Sequence, residues 1–90
     1  MQNPALRPNR SELIVPGIRP ELFAKAVRSE ADVIVLDLED SVAEGDKEQA
    51  RRNVVDALRT EDFGGKVLSV RVNSLDHPGF ARDVEEVVAA

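Results

Sequence analysis

Apolar residues recur along the chain in two spacings, and their alternation predicts three successive strand–helix units. Leu13, Ile14 and Val15 form a short apolar run closed by Pro16-Gly17, the pattern of a buried strand ending in a tight turn. Pro20 suits the first turn of a helix, and Leu22, Phe23, Ala26 and Val27 follow at helical spacing, which predicts a helix of about ten residues. Val33, Ile34, Val35 and Leu36 make a continuous, mostly β-branched run, as in parallel strands covered on both faces. That run ends in acid. Asp46 is placed to cap the next helix, with Gln49 three residues on in a near match to a capping box, and Ala50, Val54, Ala57 and Leu58 form the inward stripe. Gly64-Gly65 follows it. From Val67 to Asn73 the chain alternates strictly, with Leu68, Val70 and Val72 on one face and Ser69, Arg71 and Asn73 on the other. Phe80, Val84, Val87 and Val88 predict a last amphipathic helix that reaches the final residue without a stop signal.

This order places the chain in the α/β class with a parallel sheet. Two architectures fit: a doubly wound open sheet, or the N-terminal third of a TIM (β/α)₈ barrel, which takes roughly 250 residues when complete. The missing stop signal favours part of a barrel, as do the two sheet edges that three strands would leave unpaired. Residues 1–10, with Pro4 and Pro8 among polar neighbours, read as an irregular arm, and residues 11–90 as a partial barrel of three βα units.

Composition narrows the setting. Folding 90 residues buries about 64% of the unfolded surface, and with three Phe and no Trp or Tyr the core must be aliphatic. The absence of cysteine removes disulfides and thiolate metal sites and fits a reducing, cytoplasmic location. No apolar run approaches the ~20 residues of a membrane span, so a soluble protein with no membrane partner is expected. The net charge of −5 argues against nucleic acid as a partner. Residues 1–28 nevertheless hold five basic and two acidic side chains, a local charge of +3 that suits an anionic ligand.

The chemistry concentrates after the second strand. Leu36-Asp37-Leu38-Glu39-Asp40 puts three carboxylates at the carboxyl end of a parallel strand, where α/β folds bind their ligands. Alternation assigns Asp37 and Glu39 to one face and Asp40 to the other. Arg71 lies in a Val-rich strand, and if that strand is the neighbour, about 4.8 Å away, Asp37 or Glu39 comes within its reach. A guanidinium held by one carboxylate is a receptor for a second. The plainer alternatives are acids that face water or cap a helix, and an Arg71 that serves only an internal ion pair. His77, in Asp76-His77-Pro78-Gly79, reads as a surface turn residue. One His and no Cys give no dense metal cluster, and the glycines form no nucleotide-binding loop.

Five segments in order resemble the HpcH/HpaI aldolase and citrate lyase β-subunit superfamily: Val15-Pro16-Gly17, Arg19-Pro20-Glu21-Leu22-Phe23-Ala24-Lys25, Leu36-Asp37-Leu38-Glu39-Asp40-Ser41-Val42-Ala43, Asp46-Lys47-Glu48-Gln49-Ala50-Arg51 and Ser69-Val70-Arg71-Val72-Asn73. The stretch on through Ser74-Leu75-Asp76 to Arg82-Asp83-Val84 is most similar to the malyl-CoA lyase branch. The resemblance implies a (β/α)₈ barrel, assembled into homo-oligomers, that cleaves malyl-CoA or β-methylmalyl-CoA to acetyl-CoA or propionyl-CoA plus glyoxylate. It implies Mg²⁺ or Mn²⁺ as cofactor and a CoA thioester as substrate. Arg71 matches the family's catalytic, substrate-binding arginine, and Ile14, Arg19 and Lys25 match positions lining the CoA site, the two cations suiting its phosphates. Ile14 stands where the family carries an aromatic. Asp37, Glu39 and Asp40 match the acidic motif, which supports the metal site and Arg71. The family's metal ligands and catalytic acid lie downstream of Ala90, so the chain alone is expected to be inactive. The same motifs also suit a citryl-CoA lyase like the citrate lyase β-subunit, a malyl-CoA thioesterase, or a non-catalytic fragment that binds CoA-like anions.

Overall fold

The computed structural model describes residues 11–90, so the arm expected over residues 1–10 lies outside them. β1 (Glu12–Pro16), β2 (Val33–Asp37) and β3 (Val67–Arg71) alternate with α1 (Phe23–Arg28), α2 (Lys47–Thr60) and α3 (Phe80–Ala89). The strands lie parallel in the order β1-β2-β3. β2 is central, and four of its five residues are buried. β1, read as buried, is an edge strand in which only Val15 is fully covered.

The sheet register divides the chemistry from the core. Val15 pairs with Leu36 and Leu36 with Val70, whereas Pro16 pairs with Asp37 and Asp37 with Arg71. Paired residues point the same way and successive residues alternate, so these two rows occupy opposite faces. The first row meets the helices: Val15, Ile34 and Leu36 pack with Phe23 and Ala26 of α1 and Ala50, Val54 and Ala57 of α2, and Val87 of α3 joins them. Each fully buried Val, Leu, Ile or Phe side chain there contributes roughly 1.5–3 kcal/mol. All the helices thus cover one face of a sequentially ordered sheet. A doubly wound sheet reverses its strand order and covers both faces, so this is the arrangement of three βα units of a (β/α)₈ barrel. The other face, with Ile14 48% and Val67 45% exposed, is the one a closed barrel turns inward.

Several local expectations are corrected. Pro20–Leu22 forms a 3₁₀ turn, with the Leu22 N–H bonded to the Arg19 carbonyl, and leaves α1 only six residues long. Asp46 does not cap α2 with its side chain. Its backbone already continues a 3₁₀ turn over Glu44–Asp46, where a cap residue would be extended, and Gln49 bonds Asn53 instead of reaching back. β3 stops at Arg71, two residues before the alternation does, because Asn73 is drawn off the sheet by Asp83. α3 is rotated from its predicted stripe. It buries Asp83 and packs Val87 inward, while Val84 is 38% and Val88 77% exposed. Among the described residues no helix is long and apolar enough to cross a membrane.

Candidate functional site

The pairing of Asp37 with Arg71 in the sheet brings the last residues of β2 and β3 side by side on the uncovered face. The guanidinium grips the carboxylate through two bonds, Nε to Oδ1 and Nη2 to Oδ2, each 2.8 Å. This is the fork-on-fork geometry that only arginine offers. Asp37 is fully buried and accepts three further bonds, from the Glu39 N–H at 2.9 Å, the Ser41 N–H at 2.9 Å and the Ser41 hydroxyl at 2.6 Å. Burial opposes its ionisation, but the Arg71, Ser41 and backbone donors outweigh that and hold the carboxyl far below the usual carboxylate range. Arg71, raised by its bond to Asp37 against a smaller opposing effect of burial, is a permanent cation.

The acidic loop is built around that carboxylate. Asp37 ties down the backbone of residues 39 and 41 from within, and Lys47 at the start of α2 donates to the carbonyls of Leu38 at 3.1 Å and Glu39 at 2.9 Å. Leu38 in turn bonds the Arg71 carbonyl at 2.8 Å. The strand ends at Asp37, so alternation no longer decides where the next acids lie. Asp40, expected on the opposite face, comes to 3.7 Å from Arg71 Nη1, and Glu39 Oε1 lies 3.9 Å from Nε. All three carboxylates therefore surround one guanidinium, with only Asp37 hydrogen-bonded to it. The side chain of Arg71 is 38% exposed, and its Nη1 donors make no hydrogen bond among the described residues. The pair thus presents fixed, charged donors to an incoming oxygen anion.

The residues assigned to a CoA site divide. Ile14 and Lys25 come together at the outer edge of β1, where they line a hollow of about 180 Å³ with Leu13, Val15, Leu22 and Ala26. Arg19 is not part of that hollow; it lies in the turn after β1, largely exposed and paired with Glu21. His77 is more enclosed than a surface turn residue. Its Nδ1 accepts the Gly79 N–H at 2.8 Å, which leaves the proton on Nε2 to face the Glu44 carboxylate at 2.9 Å. That bond joins the loops following β2 and β3.

Sequence reasoning missed Ser41, Lys47 and a buried cluster of Arg51, Asn73 and Asp83. The signal for the cluster was an arginine next to the inward stripe of α2 and an aspartate three residues after Phe80 on α3. Among the described residues no group of three or more His, Cys, Asp or Glu side chains could hold a metal ion. Asp37, the best-placed carboxylate, is fully engaged with Arg71. The described residues fit an oxygen-bearing anion and not a metal's ligand set.

A one-sided parallel sheet with an arginine–carboxylate pair at the carboxyl ends of its strands defines part of a (β/α)₈ barrel whose mouth carries that pair. The chain belongs to the HpcH/HpaI aldolase/citrate lyase family, whose pattern matches residues 10–90. It is 55% identical over 85 residues to an L-malyl-CoA/beta-methylmalyl-CoA lyase of Cereibacter sphaeroides (strain ATCC 17025 / ATH 2.4.3), covering 94% of this chain and 27% of that one. It is 41% identical over 90 residues to the citrate lyase subunit beta of Leuconostoc mesenteroides subsp. cremoris, covering 100% of this chain and 29% of the relative. Among solved structures, CitE from Mycobacterium tuberculosis in complex with magnesium, acetoacetate and coenzyme A superposes with a TM-score of 0.71 at 38% identity, over 89% of this chain and 28% of that one. The chain thus spans under a third of the length of these relatives.

Proposed function

We propose that the chain is the N-terminal part of a carbon–carbon lyase that splits malyl-CoA, or β-methylmalyl-CoA, into a shorter acyl-CoA and glyoxylate. The observation that carries this reading is the Arg71–Asp37 pair, a permanent cation clamped by two hydrogen bonds on one edge, while its Nη1 edge faces Asp40 at 3.7 Å without a hydrogen bond. In the cleavage direction the substrate hydroxyl gives up its proton and the bond between the hydroxyl-bearing carbon and the carbon next to the thioester breaks. Glyoxylate leaves with a new C=O, and the electron pair passes to the thioester enolate, which takes a proton to become acetyl-CoA. Arg71 holds the glyoxylate carboxylate and the oxygen on which charge develops, and because Asp37 fixes it beforehand, little reorganisation is needed during reaction. Asp37 orients Arg71 and does not move a proton, since its carboxyl stays ionised.

Charge balance shapes the rest of the site. Three carboxylates surround one guanidinium, and a substrate carboxylate adds a further negative charge. Lys47, held by the Leu38 and Glu39 carbonyls, offsets only part of it, which leaves room for a further cation. Magnesium, present in the related CitE structure, or manganese would supply it, polarising the substrate oxygen when bound by ligands elsewhere in the polypeptide. Ile14, Lys25 and Arg19 lie on the β1–α1 side and receive the CoA part, with the two cations directed to phosphate. The enzyme works as a cytoplasmic homo-oligomer.

The test is an assay of malyl-CoA with the full-length enzyme. Release of glyoxylate and acetyl-CoA, abolished by a chelator and absent for the 90-residue chain alone, is the expected result. Release of malate and free CoA would make it a thioesterase, and turnover of citryl-CoA without malyl-CoA would place it with the citrate lyases.

A further inference from the structure

The buried cluster on the helix side of β3 has no role in the chemistry above. Asp83 of α3 is fully buried, yet it accepts three hydrogen bonds from two other parts of the fold. Arg51 Nε of α2 donates to Oδ1 at 2.9 Å, and the backbone N–H and side-chain amide of Asn73 donate to Oδ2 at 3.0 and 2.6 Å. Arg51 is itself buried, 7% exposed, with Glu86 Oε2 3.6 Å from its Nη1. Burial pushes the Asp83 carboxyl up, but the Asn73 and Arg51 donors outweigh it and hold the group below its ordinary value. Replacing a buried ion pair by apolar side chains of similar volume is often neutral or stabilising. A buried ion pair adds fixed geometry.

That geometry acts on the residue after next to Arg71. The carbonyl of Arg71 is held from β2 by the Leu38 N–H, and the N–H of Asn73 is held from α3 by Asp83, with only Val72 between them. These two bonds tie the exit of β3 to β2 on one side and to α3 on the other. We propose that Asp83, braced by Arg51 and acting through Asn73, is a positioning residue that sets the backbone from which Arg71 reaches Asp37. Its consequence for turnover rests on the function proposed above; its structural content does not.

The experiment compares Asp83→Asn and Asn73→Ala with Val54→Ala in the full-length protein. Val54 is fully buried on α2 and supplies none of the hydrogen bonds of Asp83 or Arg71, so its truncation lowers stability while leaving those bonds in place. Hydrogen exchange at the Arg71 Nε–H, followed by nitrogen-15 NMR, reads the grip on Asp37 directly. At matched distance below each variant's melting temperature, Asp83→Asn is expected to accelerate this exchange about tenfold. Asn73→Ala acts in the same direction but less, since it keeps the Arg51–Asp83 pair, and Val54→Ala leaves the rate at the wild-type value. In the condensation direction the first two variants raise the KM for glyoxylate while that for acetyl-CoA stays within twofold. Exchange rates that rank with melting temperature alone, Val54→Ala included, would overturn the proposal. Absence of any lyase activity in the wild type would sink the proposed function and leave the exchange result to decide this one.

Discussion

Asp37 accepts five hydrogen bonds while wholly buried, so its negative charge is stabilised only in the folded chain. Its folded pKa lies far below the value of about 3.9 that it takes when unfolded. A depressed folded pKa contributes stability that is fully present above the unfolded value and is lost as pH falls below it. Urea midpoints measured from pH 7 to pH 2 should therefore show wild type well above Asp37→Asn at neutral pH, with the gap closing below about pH 4. A gap independent of pH would mean that the carboxylate's charge is not what the donors stabilise. Arg71 stood out in the sequence because a cation in a Val-rich strand needs a partner, and the neighbouring strand offered one. Ser41 did not stand out. Its part depends on a loop turning back on Asp37, and nothing in the spacing of residues 37–41 encodes that turn.

The β1–α1 connection shows how an element's packing sets its residue. Gly17 has no positive φ, the usual demand for glycine. A Cβ there would lie 3.0 Å from the Asp37 carbonyl oxygen and 3.1 Å from both Leu38 Cδ2 and Val54 Cγ2. The Gly17 N–H also bonds that carbonyl at 2.8 Å, and Asn53 of α2 donates to the Gly17 carbonyl at 3.0 Å. Gly17→Ala is expected to destabilise by about 1–3 kcal/mol through overpacking, measured by denaturant unfolding. A neutral result would show that α2 can move away from β2. The glycine was visible as part of a Pro-Gly turn, but its reason is a contact across three elements that only the fold creates. The same holds for α3: hydrophobicity alone selected Val84 and Val88, whereas the buried partner of Arg51 and Asn73 fixes the helix by Asp83, a residue that hydropathy assigns to solvent.

For the molecule as a whole, strand order was the decisive information. Three β-rich runs alternating with helices allow either an open sheet or a barrel, and the sequence pattern leaves both open. The sequential order, with every helix on the face of Val15, Leu36 and Val70, selects the barrel and assigns Asp37 and Arg71 to its interior side. Family motifs reached the same conclusion from residue identity and grouped Asp40 with Arg71 where strand alternation had separated them, yet they did not indicate that Arg19 would lie apart from Ile14 and Lys25. The most direct measurement is the rate of glyoxylate release from malyl-CoA by full-length enzyme carrying Arg71→Lys. A lysine keeps the charge but cannot grip Asp37 with two parallel bonds and still present donors on its far side, so kcat should fall by about 100-fold or more. Turnover within a few-fold of wild type would contradict the assignment of Arg71 to the reacting centre.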